Sequence, residues 1–130
     1  MAACSLAKSS KNSTSVPRVV VLAASDSRLY FQPPVRFGYG GAEHIHADEY
    51  FLVPFDGARM EWVSTSHGRT PLGKRPVGGG REANGAPLLH AIAELPNYRV
   101  RTVGKAGEHL GGAHFPFAGA EIFVEYYEVL

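Results

Sequence analysis

Cysteine is almost missing from this 130-residue chain: Cys4 stands alone, so no internal disulfide can staple the fold. That fits a reducing compartment, or a fold that needs no cross-link. Net charge is equally scarce. Thirteen Lys and Arg against twelve Asp and Glu leave a formal +1, with the two signs interspersed. No basic stripe is available to neutralise phosphates, so nucleic acid is not an expected partner. Electrostatic attachment to a membrane gains no support either. Long hydrophobic runs are absent. The stretch VVVLAA from Val19 to Ala24 is shorter than the roughly 7–15 residues of a signal-peptide core. It is far short of the roughly 20 residues that span a bilayer. The expectation is a cytoplasmic protein without a membrane span, release without a signal peptide being the one other route.

Glycine and proline are plentiful, and they punctuate short runs rich in Val, Ile, Phe and Tyr. RVVVLA (18–23), RLYFQ (28–32), VRFGY (35–39), EYFLV (49–53), RMEWVS (59–64), YRVRTV (98–103), AHFPF (113–117) and EIFVEYYEVL (121–130) all have strand composition. Short strands at regular spacing with turn signals between them predict an all-β domain. One segment dissents. APLLHAIAEL, Ala86 to Leu95, holds good helix formers and a proline suited to a first turn, so by propensity alone it favours a helix. The chain divides into a solvated arm over 1–17, a shortened unit over 18–58 and a complete unit over 59–130.

The division rests on an internal repeat. FGYGGAEHIHADEYFLV, Phe37 to Val53, returns as FPFAGAEIFVEYYEVL, Phe115 to Leu130. Gly41, Ala42 and Glu43 recur as Gly119, Ala120 and Glu121, and a one-residue slip then aligns Tyr50–Val53 with Tyr127–Leu130. A turn followed by a strand is thus used twice.

Inside the first copy, His44 and His46 would share one face of a strand, since side chains alternate with period two. With Glu49 they offer imidazole and carboxylate ligands suited to zinc, iron or manganese. Gly38, His44, His46 and Glu49 come near the first motif of the cupin barrels, with Glu49 one residue early, and this supports an alternative reading as a metal-dependent β-barrel enzyme. Against it, Ile122 and Val124 fill the two histidine positions in the second copy. The repeated element is therefore a turn and strand, and polar residues on a surface strand explain the histidines without a metal.

The second copy carries a more specific resemblance. Trp62-Val63, Pro71, Gly79-Gly80-Arg81-Glu82, Pro87-Leu88-Leu89, Val103-Gly104-Lys105, Ala118-Gly119-Ala120-Glu121 and Tyr127-Glu128-Val129-Leu130 follow in order from Glu61 to Leu130. This series resembles a complete repeat of the DM-nine family, which includes mannose-binding lectins of bivalve molluscs. The first copy is similar only in part: Asp26 to Gln32 stands for one strand, and no Gly-Lys turn follows. The resemblance implies two unequal repeats of short antiparallel strands packed about a pseudo-two-fold axis, with PLLHAIA as a strand. It implies a non-enzymatic protein that binds mannose-containing glycans in pattern recognition or defence, forms a homodimer through strand edges and needs no cofactor. By position it places carbohydrate binding on Glu82, in the Gly-Gly-x-acid stretch, and on Lys105, in a Pro-Gly-Lys turn whose proline is Val103 here.

The chemistry is suitable. A sugar presents vicinal hydroxyls that each donate and accept, so a carboxylate beside a cation or amide matches them. Asn84 adds a third polar group by proximity to Glu82. No Asp/Asn cluster resembles an EF-hand loop, so binding is expected to be direct and calcium-independent.

Other patterns fail their context. Gly78-Gly79-Gly80-Arg81-Glu82-Ala83 mimics a dinucleotide fingerprint but opens no βαβ unit. Gly104-Lys105 lacks the hydroxyl residue of a phosphate-binding loop, and Cys4 sits in the arm, a poor place for a nucleophile. His109 and His114 could join a site but read rather as strand caps, and Trp62 could stack on a sugar face but reads rather as a core residue. A degenerate repeat serving only as an interaction module is the remaining alternative.

Overall fold

The computed structural model describes residues 3–7, 18–23, 35–46 and 50–130, and strands make up most of them. Twelve strands form one curled sheet: β1 (Ala3–Ala7), β2 (Arg18–Ala23), β3 (Val35–Tyr39), β4 (Ala42–His46), β5 (Tyr50–Pro54), β6 (Val63–Ser66), β7 (Gly78–Arg81), β8 (Pro87–Leu95), β9 (Val100–Gly107), β10 (Gly112–Phe117), β11 (Ala120–Val124) and β12 (Tyr126–Val129). A 3-10 turn, Glu108–Leu110, links β9 to β10. The strand order is β5-β2-β1-β3-β4-β11-β10-β9-β8-β12-β6, with β7 paired to β8 beside this path. The all-β expectation is met. Among the described residues no helix is long and apolar enough to cross a membrane.

Pairing is antiparallel throughout the second repeat, as expected. The N-terminal part is mixed, because β1 runs parallel to β3 and β2 parallel to β5. Three local readings change. Part of the segment taken as a solvated arm is strand, since Ala3–Ala7 pairs along its length with Arg18–Ala23; five small or apolar residues matched to a β-branched run make a good ladder. Ala86–Leu95 is not helical. Its residues Pro87–Leu95 form β8, which hydrogen-bonds to β7, β9 and β12 and buries Ala91, Ala93 and Leu95 on one face with the period of two that a strand provides. Tertiary pairing overrides alanine's helix propensity there. Gly104-Lys105 is not a turn either. It lies inside β9, a central strand flanked by β8 and β10, and a Cβ on Gly104 would stand 2.1 Å from the carbonyl oxygen of His114. The strand expected over 28–32 lies outside the described residues.

The core is built around small residues. Ala91, Ala93, Leu95, Ala106, Ala113, Phe115, Val124, Tyr127 and Val129 pack together, with Leu89, Phe117 and Ile122 at its margin. Alanines on β8, β9 and β10 leave room for the ring of Phe115, which is completely buried. Tyr127 is buried too, and its hydroxyl accepts a 2.8 Å bond from the N–H of Gly68. That bond satisfies a backbone donor which would otherwise be stranded.

The repeat seen in sequence becomes a local two-fold in space. The hairpins β3–β4 and β10–β11 meet where Ala42 pairs with Ala120. The N–H of Glu43 donates to the carbonyl of Gly119, and the N–H of Glu121 donates to the carbonyl of Gly41, both at 3.1 Å. Each hairpin turns over two residues of positive φ, Gly40 (61°) and Gly41 (82°) in one, Ala118 (52°) and Gly119 (82°) in the other. That is the type I′ geometry that fits twisted strands. Ala118 pays a left-handed steric cost of about 1–2 kcal/mol, which Gly40 avoids at the matching place. Ala118→Gly should therefore stabilise the protein, with a Tm rise of about 2–4 °C in thermal unfolding. An unchanged or lower Tm would mean that the turn is not strained.

Candidate functional site

Lys105 projects from β9 into the junction of the two repeats. It is only 6% exposed. Its Nζ donates to the carbonyl of Gly38 on β3 at 2.9 Å, stands 3.5 Å from Glu121 Oε2 and lies 5.8 Å from the centre of the Tyr39 ring. The other oxygen of Glu121 accepts a 2.8 Å bond from Nδ1 of His114. Register explains the convergence: Lys105 faces His114 across the β9–β10 ladder, and Glu121 follows the junction residue Ala120. Gly38 is required for the approach, since a Cβ there would lie 2.4 Å from Glu121 Oε2. The side chain of Glu121 is 7% exposed and Oε2 makes no hydrogen bond, so the ammonium is its main compensation.

The two-fold supplies a counterpart. Arg36 corresponds to His114 and Glu43 to Glu121, and Arg36 Nη1 donates to Glu43 Oε1 at 2.7 Å. Glu43 also accepts from the N–H of Gly119 at 3.3 Å, tying one repeat's carboxylate to the other repeat's turn. The retained Gly-Ala-Glu triplet was the signal in the sequence. Its glutamates are two buried carboxylates at the seam, a role the repeat alone did not disclose.

Glu82 lies elsewhere. Just after β7, its carboxylate is partly exposed and pairs with Nε2 of His109 at 3.3 Å, while its backbone N–H donates to the carbonyl of Ala86. Asn84 is exposed, and its Oδ1 accepts from the N–H of Ala86 at 3.0 Å, closing the turn from β7 into β8. Glu82 lies opposite Ala86 and Lys105 opposite His90, four residues apart along β8, or roughly 13 Å. No ion pair joins Glu82 to Lys105. Thus Glu82 and Asn84 form an accessible polar turn with His109, and Lys105 belongs to the seam with His114. Neither histidine is a mere strand cap. Trp62 is half-buried just before β6.

His44 and His46 both fall on β4. The ring of His44 is exposed, stacks on Phe37 at 5.3 Å and donates from Nε2 to the carbonyl of Tyr39 at 2.9 Å, leaving Nδ1 as its free ligand atom. The side chain of His46 and all of Glu49 lie outside the described residues. Among the described residues no group of three His, Cys, Asp or Glu is placed to hold a metal ion.

Two titrations mark the interior. Burial pushes the imidazole of His90 down, opposed by its hydrogen bond to the Gly78 backbone, so the ring stays neutral at pH 7. Burial pushes the Glu121 carboxyl up, but the hydrogen bond from His114 and the charges of Lys105 and His114 outweigh it and hold the group below its usual value. For His90 a lowered folded value means that the unfolded chain takes up its proton first, so stability falls as pH drops below about 6.5. For Glu121 stability is complete above about 4.5 and is lost as pH falls through the depressed folded value. Thermal melts from pH 8 to 3 should show Tm falling in two stages, and Glu121→Gln should flatten the lower one. A variant that keeps the steep acid limb would show that Glu121 does not control it.

Neither a curated protein nor a solved structure gives a match. A family model, the DM9 repeat, matches residues 26–130, most of the chain and both of its repeat copies. With the repeat also present as a two-fold seam of hairpins, the chain belongs to the DM9 repeat family.

Proposed function

We propose that this protein is a non-enzymatic, lectin-like glycan-binding protein that recognises mannose-type glycans without calcium, in pattern recognition or defence. The match of the DM9 repeat across residues 26–130 carries the reading. The polar groups support it. Glu82 offers a partly exposed carboxylate whose orientation His109 fixes, and Asn84 presents its amide on the same turn. A carboxylate accepts from two vicinal hydroxyls and an amide NH2 donates to a third, the pattern a pyranose edge requires. Lys105 fits as a second contact. An ammonium has three donors, of which one goes to Gly38 and a second faces Glu121, which leaves a third beside the half-exposed ring of Tyr39. A homodimer and cytoplasmic residence belong to the same proposal.

The test is retention of the purified protein on mannan-agarose and its release by free mannose. Retention should be indifferent to EDTA, and Glu82→Gln should weaken it about tenfold or more, the loss of one charge-assisted contact. Lys105→Ala should weaken retention and also lower Tm, because it leaves the buried carboxylate of Glu121 without its ammonium, at a cost of about 3–5 kcal/mol for a buried pair. Unaltered retention in Glu82→Gln would overturn the assignment of that residue, and EDTA-sensitive retention would return attention to His44 and His46.

A further inference from the structure

A second sugar-like surface lies away from both groups above. On the outer face of β6, β12 and β8 an open groove of 510 Å³ is lined by Ser64, Ile92, Glu94, Tyr126 and Glu128 among others. That size lies within the range of roughly 300–1,000 Å³ typical of small-ligand sites. The register sets these side chains on one face. Glu128 pairs with Ser64 on one side and with Ile92 on the other, and Tyr126 stands two residues along β12, next to Ser66. Tyr126 is 71% exposed, an unusual state for a large ring on a central strand. His67 meets it edge-on at 5.5 Å and 81°, which holds the ring upright. Arg101 on β9 reaches across β8 to donate to Glu128 Oε2 at 2.9 Å and so fixes that carboxylate. Glu94 is exposed beside it.

We infer that this groove is a second saccharide subsite, which takes one pyranose of an extended neutral oligosaccharide. The inference rests on the proposed glycan-binding function and adds a second place for it. The ring of Tyr126 supplies the flat apolar surface on which the C–H face of a pyranose stacks. Glu128 accepts from vicinal hydroxyls, Glu94 from a third, and the Ser64 hydroxyl both donates and accepts. Two carboxylates against one guanidinium give the groove a net negative charge, so it selects neutral over phosphorylated or carboxylated sugars. The rigid strands hold these groups before the ligand arrives, which lowers the ordering cost of binding. A chain with two subsites engages a polymeric glycan more tightly than a single sugar, through effective concentration.

The experiment follows backbone amide NMR shifts of the full chain during titration with mannotriose, for wild type, Glu82→Gln, Tyr126→Ala and Tyr126→Phe. The expected result is two groups of shifting amides, one around Glu82 to Asn84, the other around Ser64, Ile92 and Tyr126. Tyr126→Ala removes the second group alone and weakens mannan retention about tenfold. Tyr126→Phe keeps the ring and restores most of the response. Because Tyr126 is exposed, the alanine variant should fold, and its unchanged spectrum away from the groove verifies this. Shifts around Glu82 alone would overturn the groove and leave the proposed function standing. Shifts in the groove alone would support it and overturn the assignment of Glu82. Shifts at neither, or groove shifts caused only by an added peptide strand along the edge of β6, would overturn the inference.

Discussion

The buried carboxylate of Glu121 organises the seam of this protein. It faces the ammonium of Lys105 from β9 and accepts from His114 on β10, while its backbone N–H bonds to the turn of the other hairpin. Three strands and both repeats thus meet at one charged group with almost no access to water. A buried charge is tolerated only when its partners are in place. The position of β3 relative to β9, the glycine at position 38 and the reciprocal bonds from Glu43 to Gly119 and from Glu121 to Gly41 all serve that demand.

The same seam separates two kinds of polar residue. Lys105 and Glu121 use most of their bonding capacity within the fold. Glu82 and Asn84 sit where β7 turns into β8, meet solvent and are joined there by His109 from the turn between β9 and β10. A shortened first repeat still contributes the carbonyl of Gly38 and the ring of Tyr39, so the second repeat's lysine is completed by its partner copy. This couples the surroundings of Lys105 in one repeat to correct packing of the other.

Much was legible from the amino acids. Strand composition with frequent glycine and proline led to an all-β fold, and VRFGY became β3 with the bounds expected. The Gly-Ala-Glu repeat marked the two hairpins, and the ordered motifs from Glu61 to Leu130 indicated the family. Local chemistry was less reliable. Alanine and leucine in PLLHAIAEL favour a helix in isolation, but three neighbouring strands satisfy its backbone and bury Ala91, Ala93 and Leu95 on one face instead. Gly104-Lys105 has turn composition, yet it is the close passage of β10 that requires the glycine.

The sequence by itself determined what is periodic or repeated: strand character, the near-neutral surface, the absence of an internal disulfide and the paired turns with glycine where φ must be positive. Only the tertiary structure decided which polar groups share an environment. Lys105 and Glu121 are sixteen positions apart in the chain and meet across β10, whereas Glu82 and Lys105, which the family resemblance places in one site, are drawn to different partners. Tyr126 and Glu128 lie within a strand motif and acquire a groove only when β6 and β8 flank them. The physical reason is that burial and ion pairing depend on distances set by strand register, and register is chosen by the whole sheet rather than by any one segment.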